Sequence, residues 1–319
     1  METRMSLNIA DEMASRWTPV ESSPGMKQAL EGLPSGWKTR RLAPSLGLEL
    51  QDLFLPDLDD DGIARIRALL LAFRVLVIRR QPVSPAQHVA FARKFGDLET
   101  QNPLLAANAD FPELVQLKAS REKKGAENLF HSDTAFYEKP SMGSILRCIK
   151  CPEVGGDTIF CNMVQAYAGL PEEVKRKIDG MVAVNDVNVA LFKKMDPNER
   201  AAHRDRHRAV EHPVVVTHPE TGELILYVNE IHTTHIANYR EVLGSDWGMD
   251  TPTQIRELFD LLVRQAKIPE YQVRVHWEPD TIVFWDNRAV QHYAVSDYYP
   301  SERHMMRATI IGDVPRRVR

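Results

Sequence analysis

The sequence predicts a mostly β protein with helical insertions, its strands forming a sandwich or barrel. The double-sheet jelly roll is one closed solution of that kind. Three observations carry this expectation. Short strand candidates dominate from about residue 140 onward. Turns rich in Pro, Gly, Asp and Asn separate several of them. Helical patterns interrupt the series at only a few points, so helices would pack outside the strands.

The elements follow in chain order. Residues 1–36 are polar, with the turn signals "ESSPG" and "LPSG", and are expected to form an N-terminal extension. "DLDDDGIARIRALLLAF" (57–73) opens on acidic residues and spaces its apolar residues at a helical period, which predicts a helix. "RVLVIRR" (74–80) reads as a buried strand. "SPAQHVAFARKFG" (84–96) combines a serine cap, a proline at the first helical position and a closing glycine. The strand candidates are "GSILRCIK", "GDTIFCN", "GMVAVND", "HPVVVTH", "LILYVN", "YQVRVHW", "DTIVFWD" and "RATIIGD". "HPETGE" reads as a hairpin connection, and helices are expected near 163–179, 196–209 and 251–267.

Composition narrows the class. At 319 residues, 43% hydrophobic and 26% charged, the chain reads as a soluble globular protein. A net charge of -4 makes no case for nucleic-acid or membrane binding. No apolar run approaches the ~20 residues of a membrane span. The N-terminus has no apolar signal core, so a cytoplasmic location is expected. Assembly into a homo-oligomer is compatible with the sequence. The three cysteines make no disulfide framework. "CIKC" (148–151) has no second CxxC and reads as ordinary semi-buried cysteines.

Two distant stretches carry chemistry. In "LFHSDTAFYEKP" (129–140), His131 and Asp133 stand two residues apart, a spacing that puts both on one face of a strand. "WDNRAVQHYAVSDYYPSERHMMRATIIGD" (285–313) offers a further histidine and two arginines. Two imidazoles and a carboxylate are the ligand set of non-haem Fe(II) oxygenases, with positions left open for oxygen and a chelating co-substrate. Asp286 and Arg288 read as braces for the loop that presents His292. His203 and His207 have metal-like spacing but sit among charges on a solvated helix face, and His212 and His218 read as strand-end residues.

The "WDNR…H…R…RAT…GD" arrangement closely resembles the end of the taurine dioxygenase and 2,4-dichlorophenoxyacetate dioxygenase family of Fe(II)- and 2-oxoglutarate-dependent oxygenases. The resemblance extends to "HSD" (131–133), "GGDTIFCNMVQAYAGLP" (155–171) and "THPETGELILYVNE" (217–230). It implies a double-stranded β-helix (jelly roll) and one dioxygenase domain over residues 37–319. It implies metal ligands His131, Asp133 and His292 for Fe(II). Arg303 and Thr158 would hold the distal carboxylate of 2-oxoglutarate, and O2 would be the second co-substrate. Arg307 would bind an anionic group of a small-molecule substrate. Asn102 and Leu105 stand where the taurine enzyme has a pocket His and Tyr, and His232 stands where it has an aromatic. These departures argue against taurine itself.

The implied reaction couples hydroxylation of an unactivated C–H bond to conversion of 2-oxoglutarate to succinate and CO2. The retained carboxylate ligand favours oxygenation over halogenation. Alternatives are desaturation or ring formation by the same machinery, a metal-dependent hydrolase, and a non-catalytic jelly-roll binding protein.

Overall fold

A computed structural model describes residues 24–100, 107–122, 129–187, 196, 198, 208–243 and 251–318. The chain opens with helix α1 (Pro24–Leu30), then strands β1 (Lys38–Arg41) and β2 (Leu48–Gln51). Helix α2 (Asp60–Phe73) starts where the acidic run predicts a start. Asp59 caps it, accepting from the Gly62 amide at 2.8 Å. β3 (Val75–Ile78) follows, then α3 (Pro85–Arg93), whose Ser84 and Gln87 form a reciprocal capping box.

Next come β4 (Leu114–Ala119), β5 (Ser141–Lys150) and β6 (Thr158–Asn162). The helix predicted over 163–179 is two helices, α4 (Met163–Ala168) and α5 (Glu172–Ile178). The break falls at Gly169–Pro171. A Cβ on Gly169 would sit 2.0 Å from the Tyr271 hydroxyl, and proline interrupts helical hydrogen bonding. The chain continues through β7 (Val182–Asn185), β8 (Val210–Pro213), β9 (Val215–Thr217), β10 (Leu224–Leu226) and β11 (Thr233–Ile236). Helices α6 (Tyr239–Leu243) and α7 (Thr251–Arg264) precede β12 (Gln272–Val275), β13 (Ile282–Asp286), β14 (Val290–Ala294) and β15 (Arg303–Ile311). The helix predicted over 196–209 lies almost wholly outside the described residues, as do His203 and His207.

The architecture is mostly β, with helices on the outside. A seven-stranded sheet runs β1-β2-β3-β13-β5-β15-β4, and a three-stranded sheet runs β12-β6-β14. Smaller sheets, β11-β7-β8 and β10-β9, accompany them. The inner core is drawn from both of the first two sheets. Val77, Leu146, Trp285 and Met305 come from the large one, and Phe160, Val273 and Val290 from the small one. The opposite face of the large sheet buries Ile145, Phe284 and Ile310 against α2 and α3. The helices α4, α5 and α7 cover a further core with Leu170, Leu226 and Leu262. Met26 of α1 is buried with the α2 core, so part of the predicted extension packs on the body. Among the described residues no helix is long and apolar enough to cross a membrane.

Candidate active site

Backbone pairing with β14 builds the site. His131 forms an isolated antiparallel bridge with His292 on β14. Each amide donates to the other's carbonyl, at 3.1 and 2.8 Å. Directly opposed residues of a bridge point to the same side, and the two imidazole centroids lie 4.2 Å apart. Asp133 arrives differently from the strand alternation expected of it, because it stands in a turn that begins after the bridge. Asn287 sets that turn. Its side-chain oxygen accepts from the Asp133 amide at 2.8 Å, and its Nδ2 donates to the Asp133 carbonyl at 2.9 Å. The amide side chain thus supplies the two hydrogen bonds that a neighbouring strand would supply.

The result is a compact triad. Asp133 Oδ1 lies 3.8 Å from His131 Nε2 and 3.9 Å from His292 Nε2. One ligand atom from each residue lies within 4.8 Å of the others, and all three side chains are buried. His131 Nδ1 faces the Leu129 carbonyl at 2.9 Å, so it carries the proton and leaves the Nε2 lone pair toward the triad. Burial and the neighbouring His131 push His292 down to about 3, which keeps it neutral as a metal ligand must be. Burial alone would raise the Asp133 carboxyl. Arg307, the two imidazoles and the Ser144 hydroxyl override it and hold Asp133 well below the usual carboxylate range. Two imidazoles and a carboxylate so arranged fit a first-row metal ion such as Fe(II).

Arg303 and Arg307 lie on one face of β15, with Met305 of the inner core between them. Arg307 Nη1 donates to both Asp133 oxygens, at 2.8 and 2.9 Å. Arg303 is buried at the strand's start, its guanidinium 5.8 Å from the Trp277 ring and 5.9 Å from the Tyr298 ring. Trp277 Nε1 donates to the Thr158 hydroxyl at 3.0 Å. The hydroxyl's own proton is thereby left to point elsewhere. Thr158 and Phe160 pair with Ala294 and His292 respectively, so Thr158 is a diagonal neighbour of the metal-ligand position. Gly156 has φ +70, and a Cβ there would lie 3.3 Å from Arg303 Cδ. The "GGD" turn therefore needs glycine at this position.

His232 is buried in the same place, its ring 6.3 Å from that of His131 and 4.9 Å from that of Phe136. Burial and His131 push it down to about 3. Asn102 and Leu105 lie outside the described residues.

Behind β14, Asp286 accepts from Arg288 Nε at 2.9 Å and Nη2 at 2.7 Å. His218 Nε2 also meets it, at 3.0 Å. His218 Nδ1 accepts from the amides of Glu220 and Thr221, so its proton sits on Nε2 and points at Asp286. Reading His218 as a strand-end residue misses this buried pairing. Asn287, Ser144, Trp277 and Tyr298 were likewise not singled out from sequence. Asn287 stands in plain view inside "WDNR", but its partner is 154 residues away.

The profile of the taurine catabolism dioxygenase TauD, TfdA family matches residues 38–309. The chain belongs to this family. It is 31% identical over 285 residues to an alkylsulfatase of Acinetobacter baylyi, covering 86% of this chain and 85% of that protein. It is 31% identical to an alpha-ketoglutarate-dependent sulfate ester dioxygenase of Pseudomonas putida, over 86% of this chain and 89% of that protein. A taurine dioxygenase from Burkholderia xenovorans superimposes with a TM-score of 0.71 at 31% identity, covering 88% of this chain and 91% of the other. The chain is accordingly a 2-oxoglutarate-dependent dioxygenase, whose chemistry draws on Fe(II), 2-oxoglutarate and O2.

Proposed function

We propose that this dioxygenase hydroxylates an unactivated C–H bond of a small anionic organic molecule. A sulfate ester, a sulfonate or an aryloxy acid would qualify. The observation that carries the reading is one strand, β15, that carries two buried arginines on its inner-core face, Arg303 and Arg307, the second of them hydrogen-bonded to Asp133 of the His131, Asp133 and His292 cluster. In this reading those three residues hold Fe(II). Arg303 grips the distal carboxylate of 2-oxoglutarate as a two-point fork, and Thr158 adds a hydrogen bond. Fe(II) held there would activate O2 while 2-oxoglutarate is converted to succinate and CO2.

Arg307 would hold the substrate anion. Its Nη1 donates to both Asp133 oxygens, so a substrate anion held there would lie beside the metal-ligand carboxylate. His232, Asn102 and Leu105 would shape the substrate side, while Asp286 and Arg288 would brace the turn before His292. The named activities of the relatives support an anionic substrate, because sulfate esters and 2,4-dichlorophenoxyacetate are acted on by proteins of this kind. The wider reading is a jelly-roll domain over residues 37–319, preceded by an extension over 1–36, in a cytoplasmic protein acting without nucleic acid or membrane.

The test is an anaerobic Fe(II) titration with 2-oxoglutarate, followed by succinate measurement across sulfonates, sulfate esters, aryloxy acids and phosphonates. A weak visible charge-transfer band and substrate-dependent succinate are expected. Absence of both the band and 2-oxoglutarate binding would overturn the reading.

A further inference from the structure

The two oxygens of Asp133 are held differently. Oδ1 faces the imidazoles, 3.8 Å from His131 Nε2 and 3.9 Å from His292 Nε2. Oδ2 accepts from the Ser144 hydroxyl at 3.1 Å. Arg307 does not tell the two apart, because its Nη1 donates to both, at 2.8 and 2.9 Å. Of these two donors, Ser144 is the one that distinguishes Oδ2 from Oδ1.

Strand register fixes Ser144. It pairs with Trp285 of β13 on one side and with Thr309 of β15 on the other, and it is fully buried. Ladders on both edges leave its backbone little freedom. The packing beside it is close: a Cβ on Gly143 would lie 2.7 Å from the Trp285 carbonyl oxygen. A hydroxyl has one proton and an ionised carboxylate only accepts, so that proton points at Oδ2. Charge separates the two donors once a metal ion is present. A dication at Oδ1 repels the Arg307 guanidinium but leaves a neutral hydroxyl where it is. An octahedral ion takes about six ligands, so two imidazoles and one carboxylate oxygen leave about three positions open. A chelating co-substrate takes two of them, and a second Asp133 oxygen would close the last.

We infer that Ser144 is a positioning residue that keeps Oδ2 off the metal, so that Asp133 ligates through Oδ1 and one coordination position stays open after 2-oxoglutarate binds. The inference rests on the reading of His131, Asp133 and His292 as the Fe(II) ligands. Hydrogen bonds to a ligating carboxylate commonly set its orientation, and here the bond selects between its two oxygens.

The experiment loads the full chain with Mn(II), a paramagnetic substitute for Fe(II), and counts metal-bound water by water-proton relaxation, with and without 2-oxoglutarate. The wild type with 2-oxoglutarate should keep about one exchanging water. Ser144→Ala should bring the relaxivity of that complex down to the level of an ion with no bound water. Without 2-oxoglutarate, the same substitution should lower relaxivity by about a third. Mn(II) affinity should stay equal to wild type or tighten, because the ion gains an oxygen. A hydroxyl that merely supports the fold would instead weaken Mn(II) binding and leave the water count alone. That result would overturn the inference on Ser144, as would relaxivity unchanged by the substitution, or a wild-type complex with 2-oxoglutarate that already lacks the water. Failure of the wild type to bind Mn(II) would overturn the metal-site reading and the inference with it.

Discussion

Asn287→Ala tests whether the Asp133 turn is built by one amide side chain. Asn287 makes four buried contacts. It accepts from the Asp133 amide at 2.8 Å and donates to the Asp133 carbonyl, the Ser141 hydroxyl and the Ser141 carbonyl at 2.9, 2.8 and 3.2 Å. Truncation orphans the Asp133 amide, at a cost of about 1–3 kcal/mol when buried, and leaves the Asp133 carbonyl only a long 3.5 Å contact from the Ser141 hydroxyl. A stability loss of roughly 2–4 kcal/mol follows, or about 5–10 °C in melting temperature for a chain of this size. Because the freed turn no longer aims the carboxylate, Fe(II) affinity should fall about 10–100-fold. Fe(II) calorimetry well below the melting temperature, where both proteins are folded, separates the two effects. Ser132→Ala is the control. It removes a buried bond to the Val290 carbonyl (3.1 Å) without touching Asp133, so it should cost stability and spare Fe(II) binding. Fe(II) affinity of Asn287→Ala within two-fold of wild type would refute the argument.

Three further outcomes are expected. Arg303→Ala should weaken 2-oxoglutarate binding by about 2–5 kcal/mol, because a buried carboxylate loses its fork; unchanged 2-oxoglutarate affinity would move the co-substrate elsewhere. Arg307→Met should lower the stability of the metal-free protein, because the buried Asp133 carboxylate loses its cation, yet should tighten Fe(II) binding, because the ion no longer competes with a guanidinium; weaker Fe(II) binding would reverse that logic. His88 supplies a pH dependence: burial pushes its imidazole down to about 4, while the unfolded residue titrates near 6.5. The unfolded chain therefore binds a proton that the folded chain refuses, and stability should fall by up to about 3 kcal/mol as pH drops from 6.5 to 4. Urea unfolding of wild type and His88→Gln across that range checks this, and identical slopes would count against it.

Much of this was legible in the chain because local chemistry announces local structure. Asp59 and Ser84 cap the helices that their positions predict, and Val75–Ile78 is the strand that its apolar run predicts. The segments "HSD" and "WDNR…H" hold the three residues whose ligand atoms the fold brings within 4.8 Å of one another. Strand β14 was not among the strand candidates, although it carries His292. Val290 faces the inner core while Ala289 and Tyr293 meet the helical side, so the strand is covered on both faces and shows no alternation. The roles of Asn287, Trp277 and His218 were hidden for another reason. Each depends on a partner 68 or more residues away, and no local pattern records which residues a fold will bring together.

The two arginines also make sense as a matter of charge. In the metal-free site the Arg307 guanidinium balances Asp133, and both are buried. A dication held by the imidazoles and Asp133 brings in two uncompensated positive charges, because Asp133 already balances Arg307. The two carboxylates of 2-oxoglutarate offset the metal's charge, and the pocket at Arg303 adds a further positive charge that the same dianion must also satisfy. Counted together, Fe(II), Asp133, Arg303, Arg307 and 2-oxoglutarate leave the interior with a single net positive charge. A neutral substrate would leave that charge buried without a partner, which is costly. A monoanion placed at Arg307 cancels it. On the proposed reading, in which Arg303 holds 2-oxoglutarate, the charge count of the loaded site favours an anionic substrate, with its charge at the arginine that Asp133 occupies in the metal-free protein.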